Sequence, residues 1–226
     1  MTTDDTAADT FRTTLRSLRV WDTDDLPAFD PETAPATPLP LFHTWFTHAA
    51  QAGQPEPHTM TLATVDPDGR PDARTVMLHG ADAAGWHFAS HSTSAKGRQL
   101  AAHPEAALGF YWPAVARQVR VRGRVSTAGA AESRADLSVR SRGALAAALT
   151  GHQSEVLGSL DELARASADA WALAAAEPDA PAPTWTRYVL DADEVEFFQG
   201  DAQRRHVRLR YRRTPDGTWT RELLWP

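Results

Sequence analysis

The stretch Arg117-Gln118-Val119-Arg120-Val121-Arg122-Gly123-Arg124-Val125 puts valines at 119, 121 and 125 and long polar side chains at 118, 120, 122 and 124. Successive side chains on a strand point to opposite faces, so this period of two fits a strand with one buried and one polar face and does not fit a helix. Shorter runs repeat the pattern. Residues 59–65 alternate, and Asp66-Pro67-Asp68-Gly69-Arg70-Pro71 supplies turn chemistry before residues 74–79. Further strands are expected at 85–90, 107–112, 184–190, 195–199 and 206–212. A last one is expected at 218–225, after the Thr214-Pro215-Asp216-Gly217 turn. Seven or eight short antiparallel strands need their edges closed off, and a small barrel does this. The expected fold is mainly β with inserted helices, a split barrel in outline.

The helices interrupt this series. Leu41, Phe42, Trp45, Phe46 and Ala49 recur at three- and four-residue spacing, predicting a helix from about Leu39 that Gly53 and Pro55 end. Ser92, Thr93 and Ser94 precede Lys96, Arg98 and Leu100, a short helix with a hydroxyl-rich start. Residues 131–149 and 159–176 are rich in alanine, leucine and acidic side chains and predict a helical insertion over about 129–176. The first 37 residues are polar, acidic and then Pro-Ala rich. They read as an extended arm with Trp21 and Phe29 as anchors, ahead of one domain over 38–226.

Composition excludes several functions. A formal net charge of -6 over 226 residues argues against a nucleic-acid binder that works through bulk charge. The absence of cysteine removes disulfides, thiolate nucleophiles and Cys-based metal sites. No run is long enough to span a membrane, and the acidic start lacks a signal-peptide pattern, so a cytoplasmic protein is expected. No Ser-His-Asp arrangement stands out, and His87 and His91 have no acid between them, so no metal site is expected.

Other residues carry more chemistry. Arg204, His206 and Arg208 fall at alternate positions and on a strand would share one face, as they would in a cleft for an anionic, electron-rich ligand; a solvated edge strand accounts for them equally well. Lys96, the chain's single lysine, sits at a predicted helix start, where backbone donors also favour anions. Arginines on neighbouring strands offer fork-like donors for phosphate, and Gln153-Ser154 can read a heterocycle edge. No glycine-rich strand-to-helix turn supports a Rossmann unit. These residues together predict a barrel holding a phosphorylated planar cofactor beside a cationic patch.

From about Leu39 to Pro226 the chain resembles the pyridoxamine 5'-phosphate oxidase family of FMN-binding split barrels. The resemblance rests on Arg74-Thr75-Val76-Met77-Leu78-His79, Ser90 with Lys96, Arg117-Gln118-Val119, Gln153-Ser154, Phe198-Gln199-Gly200, and Arg204-Arg205-His206-Val207-Arg208, in family order. It implies FMN as cofactor and a homodimer with FMN sites at the subunit interface. Arg74, Lys96, Gln153 and Ser154 would hold the phosphate and ribityl part, and Thr75, Val76, Met77 and Ser90 would also bind the cofactor. Gln118, Phe198 and Arg208 would border the ring, and Arg204 and His206 would be the catalytic pair facing the substrate.

The departures lie at the substrate's far end. His79, Asp136, Arg140 and Ala144 stand where the vitamin B6 enzyme grips a phosphate with lysine, tyrosine, arginine and serine, so only the arginine is kept. An FMN arginine is replaced by Ala95, and the ring-edge tryptophan by Phe198. The expected activity is an FMN-dependent oxidase that passes a hydride from a planar or heterocyclic substrate towards oxygen, with no strict need for a 5'-phosphate. The alternatives are pyridoxamine/pyridoxine 5'-phosphate oxidase proper and a non-catalytic flavin-binding protein.

Overall fold

A computed structural model describes residues 3–19, 21 and 26–226. Nine strands form one antiparallel sheet: β1 (Thr59–Val65), β2 (Pro71–Met77), β3 (Gly80–Asp82), β4 (Gly85–His91), β5 (Glu105–Trp112), β6 (Arg117–Thr127), β7 (Trp185–Gln199), β8 (Val207–Arg213) and β9 (Trp219–Leu224). The main order is β2-β1-β5-β6-β7-β4-β3, with β9 attached through β8 to β7. The described residues also form six α-helices: α1 (Thr3–Ser17), α2 (Pro38–Gln51), α3 (Ala95–Ala102), α4 (Ala130–Ser138), α5 (Arg142–Thr150) and α6 (Leu160–Ala176). The mainly β, curled antiparallel architecture expected from the alternation is the one observed.

The sheet splits along β7. The sequence predicts two strands here, 184–190 and 195–199, but a single strand of fifteen residues runs through both. Asp191 and Asp193 point outward while Ala192 is buried, so the acids do not interrupt the ladder. The pairing with β6 shifts at Arg122/Gly123, leaving Asp193 as the extra residue of a bulge. A Cβ on Gly123 would lie 2.0 Å from the Asp191 carbonyl oxygen, so the bulge needs glycine there. Before the bulge β7 pairs with β4, and after it with β8. The two ends of β7 thus serve different lobes.

The core is aromatic. Helix α2 lays Phe42 and Trp45, both fully buried, against Phe110 and Phe197 at ring separations of 5.1 and 5.2 Å in edge-on geometry. Valines 119, 121 and 125 of β6 are buried as their period requires. The polar face of that strand is answered by acids on neighbouring strands: Arg120 with Glu196 at 2.5 Å, Arg122 with Glu194 at 3.7 Å, and Arg124 with Glu105 at 3.9 Å. A second, smaller core under Leu137, Leu145 and Ala170 holds the helical insertion together.

Part of the arm expected to be extended is helical instead. Residues Thr3–Ser17 are helical, and Phe11, Leu15 and Leu18, at helical spacing, are exposed. That spacing, more than the threonine-rich composition, fits helix. Residues 1–2, 20 and 22–25 of the predicted arm lie outside the described residues. Trp21 and Phe29 do pack on the body: Trp21 lies edge-on to His206 at 4.9 Å, and Phe29 edge-on to Trp45 at 5.0 Å. No helix among the described residues is long and apolar enough to cross a membrane.

Candidate functional site

The first cleft, of about 640 Å³, opens between β2, β4, the start of α3 and the end of α5. Arg74, Thr75, Val76 and Met77 from β2, Ser90 from β4, Lys96, and Gln153 and Ser154 all line it, as does His79. Gly97 allows this assembly. A Cβ there would meet the Ser92 carbonyl oxygen at 2.3 Å, so only glycine lets the first turn of α3 lie on the end of β4. Ser94 caps that turn by accepting a hydrogen bond from the Gly97 amide at 3.2 Å.

Lys96 is 8% exposed. Its ammonium donates to the Ser90 hydroxyl at 3.1 Å and to the Gln153 side-chain oxygen at 2.9 Å. Among the described residues no carboxylate pairs with it. Burial, aided by the nearby Arg74 charge, pushes the Lys96 pKa down against the weaker pull of Asp72. A buried cation held only by neutral oxygens is a place for an anion. Ser154 holds a left-handed backbone, φ 76, and its hydroxyl accepts from the Ala95 amide at 3.1 Å, which ties the loop after α5 to the start of α3. Strain of this kind in a non-glycine residue persists where surrounding contacts enforce it.

Arg74 is more constrained than the sequence shows. It donates to Thr64 Oγ1 and Asp72 Oδ2, both at 2.5 Å, and to Gln99 Oε1 at 2.9 Å. Thr64 and Gln99 are buried supports that went unnoticed in the sequence. Asp72, two residues before Arg74 on the same strand, was the readable signal.

Behind His79 and Trp185, which line this cleft, lies a charge cluster that does not itself line it. Arg140 grips Asp136 with two hydrogen bonds, Nε to Oδ2 at 3.0 Å and Nη2 to Oδ1 at 2.8 Å. Their i, i+4 spacing, with Asp136 in α4 and Arg140 just beyond it, makes this local. Trp185 Nε1 reaches the same carboxylate at 3.4 Å. His79 Nδ1 lies 3.5 Å from Asp136 Oδ1, near enough for an ion pair when protonated, yet it has no hydrogen-bond partner although it is buried. Burial alone would raise the Asp136 pKa; the His79 contact and the Arg140 bonds outweigh it and hold the carboxyl well below the usual range. Ala144 stays out of the cleft lining: its amide donates to Ser141 Oγ at 3.2 Å at the start of α5, and Ala147 of the same helix faces the cleft.

The second region sits on the other lobe. Gln118, Phe198 and Arg208 stand directly opposite one another across β6, β7 and β8 and so share one face of the sheet. Arg204, His206 and Arg208 line a cleft of about 590 Å³ with the C-terminal residues Leu223 to Pro226. The predicted alternation of 204, 206 and 208 along one strand does not hold. β8 begins at Val207, and Arg204 has φ 64 in the preceding turn. Asp201 causes this, because its side chain accepts from the amides of Gln203 and Arg205 and folds the chain into a tight loop. His206 still reaches the ring row, 5.1 Å from Phe198, and its Nδ1 accepts from the Asp201 amide at 3.1 Å. Arg208 donates to Glu196 at 2.9 Å and to the Trp225 carbonyl at 2.8 Å. Trp21, missed as a site residue, lies against Phe198, His206 and Arg204.

The residues of the predicted site therefore fall into two groups, at opposite ends of β7. Trp185 borders the first and Phe198 the second, separated along the strand by about 45 Å of chain path.

The curled antiparallel sheet is a split barrel, and its buried lysine at a capped helix start, with no carboxylate partner among the described residues, is a candidate anion site. Comparison with known proteins carries this further. Residues 46–174 match the family model "Pyridoxamine 5'-phosphate oxidase", and residues 185–226 match "Pyridoxine 5'-phosphate oxidase C-terminal dimerisation region". The chain is 45% identical over 196 residues to the pyridoxine/pyridoxamine 5'-phosphate oxidase of Pseudomonas syringae pv. tomato, covering 85% of this chain and 90% of that one. The enzyme of the same name from Pseudomonas fluorescens SBW25 is also 45% identical, with the same coverage. Among solved structures, PhzG from Burkholderia lata 383, in complex with tetrahydrophenazine-1-carboxylic acid, superposes with a TM-score of 0.83 at 31% identity, covering 89% of this chain and 98% of that one. The chain belongs to the pyridoxamine 5'-phosphate oxidase family. Its family and fold are consistent with FMN binding and with flavin-dependent oxidoreductase activity.

Proposed function

We propose that this chain is the subunit of a homodimeric, cytoplasmic FMN-dependent oxidase, with residues 38–226 as the FMN-binding unit and 129–176 as its helical insertion. Lys96 carries the proposal: it is buried, has no carboxylate partner among the described residues, and stands beside Arg74, Ser90, Gln153 and Ser154. These residues fit the FMN phosphate and ribityl chain, and Thr75, Val76 and Met77 fit the wall beside it. The Gln118, Phe198 and Arg208 row fits the ring. The two groups lie at opposite ends of β7, so one site takes the first group from one copy and the second from another. The match of residues 185–226 to a dimerisation region supports this.

Bound FMN supplies two-electron chemistry, taking a hydride from the substrate and passing the electrons to oxygen, which leaves as hydrogen peroxide. The protein binds and orients. Because His206 Nδ1 accepts a backbone hydrogen bond, its proton sits on Nε2, where it can donate to the substrate or relay a proton. Arg204 anchors an anionic or carbonyl group. Arg208 offers positive charge at the ring edge where negative charge develops.

The substrate is a planar heterocycle without a strict need for a 5'-phosphate, because Arg140, the one phosphate-gripping residue kept, is already paired with Asp136. Purified protein, screened anaerobically for substrates that bleach the flavin, tests the reading. A colourless protein that FMN does not titrate overturns it. The vitamin B6 oxidase proper is the second reading, favoured by the 45% identical relatives. A kcat/KM on pyridoxine or pyridoxamine 5'-phosphate above about 10⁴ M⁻¹s⁻¹ decides for it. A flavin-loaded protein that no substrate bleaches is instead a non-catalytic binder.

A further inference from the structure

One helix and one groove of this chain match each other in shape and charge. Phe11 and Leu15 of α1, with Leu18 just beyond it, stand at positions i, i+4 and i+7 and form an exposed apolar stripe. Arg12 and Arg16 each follow a stripe residue and so run along one flank of it, while Thr10 and Thr14 run along the other. The groove is a cavity of about 380 Å³ between α5, the loop after it and the first turns of α6. Val156, Leu157 and Leu163 line it and are exposed, and Leu160 beside them is exposed too. Residues 155–163 carry three acids, Glu155, Asp161 and Glu162, and neither arginine nor lysine. An exposed apolar groove with an acidic rim fits an amphipathic helix with a basic flank.

A single copy does not bring the two together. No described residue of α1 lines the cavity, and the stripe is exposed. Trp21 fixes where α1 leaves the body. It packs on Phe198 and His206 at the β8 end of β7, and its distance from Leu18 is at most about 11 Å of chain. The cavity lies towards the other end of β7, where it shares His91, Ala147 and Gln153 with the first cleft. A flavin site built from the first group of one copy and the second group of another sets these two ends side by side. Resting on that homodimer reading, we propose that α1 of each copy docks through Phe11, Leu15 and Leu18 in the α5–α6 groove of its partner, with Arg12 and Arg16 facing the acidic rim. A two-fold dimer makes the contact twice. Each clasp braces the loop that carries Gln153 and Ser154.

The chain has no cysteine, so a pair introduced by substitution reports on its own contact alone. Chains carrying Leu15→Cys and differently tagged chains carrying Leu163→Cys are co-expressed, loaded with FMN and oxidised. Both positions are exposed in the single chain, so neither replacement disturbs its core; FMN content and melting temperature check this. A covalent pair of unlike chains is expected. Thr13→Cys lies on the far side of α1 and should couple to Leu163→Cys about tenfold more slowly or less. Phe11→Ser should slow the Leu15→Cys coupling by about tenfold through lost apolar contact. Arg12→Glu with Arg16→Glu should slow it by about threefold or more, through repulsion from the rim. Sedimentation of the wild-type protein measures the homodimer independently. Two outcomes in a dimeric protein overturn this inference and leave the flavoenzyme homodimer in place. One is coupling of Leu15→Cys no faster than that of Thr13→Cys. The other is a chain carrying both Leu15→Cys and Leu163→Cys that closes a bond within itself and runs as a monomer on a denaturing gel. A wild-type protein that sediments as a monomer overturns both readings.

Discussion

The two clefts at the ends of β7 are both lined by cations, and Lys96 of the first differs from Arg208 of the second in what answers it. On the β2–β4 lobe, Lys96 is buried against a hydroxyl and an amide oxygen. On the β8–β9 lobe, Arg208 is bound to Glu196, an acid 3% exposed that also holds Arg120. A cation with only neutral partners is poised to bind an anion. A cation locked to a carboxylate contributes orientation and a fixed field instead. The first lobe should therefore govern cofactor affinity and the second turnover, and substitutions can separate the two.

The largest effect is expected on the second lobe. His206→Ala removes a positioned proton donor and should lower kcat by about 10²–10⁴-fold while FMN affinity stays near wild type. Stopped-flow reduction of the flavin measures it, and a parallel loss of FMN would erase the distinction between the lobes. Next comes Lys96→Met. Removing a charge-assisted contact to phosphate should weaken FMN binding by about 1.5–3 kcal/mol, or roughly 10–100-fold, read by quenching of flavin fluorescence. If FMN binds this variant as tightly as wild type, Lys96 is not the phosphate's partner.

Glu196→Gln probes the carboxylate that makes the second lobe different. Its arginine partners are partly exposed, so the loss should be about 1–2 kcal/mol, a fall in Tm of about 2–8 °C for a chain of this size. Desolvation raises the Glu196 pKa, but the Arg208 hydrogen bond and the charges of Arg120 and Arg208 outweigh it and leave it lowered. A depressed carboxylate stabilises the fold above its unfolded pKa, near 4.5, and that contribution is lost as pH falls through the lower folded value. The Tm gap between wild type and variant should accordingly be full at neutral pH and close in acid.

How legible each lobe is in the sequence follows from the same contrast. Local periodicity places the valines of β6, the hydroxyl-rich start of α3 and the hairpin between β1 and β2, because each depends on neighbouring residues alone. The Arg204, His206 and Arg208 alternation failed because one side chain, Asp201, captures two backbone amides and folds a turn where a strand was expected. The split of the sheet at Asp193 is equally hidden, since it depends on which strand β7 meets on each side of a bulge. Glu196 could not be paired with Arg120 without knowing the register between β6 and β7. The first-lobe site residues were grouped through a family resemblance; what the fold adds is that Lys96, Ser90 and Gln153 touch and that Arg140 is already engaged by Asp136.

The smallest effect expected is a pH dependence confined to the first lobe. Desolvation, with the Arg74 charge, lowers the Lys96 pKa below its ordinary 10.5, so the folded protein without an anion gives up this proton before the unfolded chain does. Between the lowered folded value and 10.5 the unfolded state binds more protons, and stability without cofactor should gain from Lys96 as pH rises through that window. An anion at Lys96 favours the charged form and opposes this trend. FMN affinity should therefore decline in mild alkali, starting below pH 10.5, by less than Lys96→Met costs. Lys96→Arg keeps its charge throughout that range and should flatten the decline even if its longer side chain binds FMN less tightly at pH 7. Fluorescence titrations from pH 7 to about 10 make the measurement. A decline of equal steepness in Lys96→Arg would assign the pH dependence to another group and weaken the case that this lobe's single lysine receives the anion.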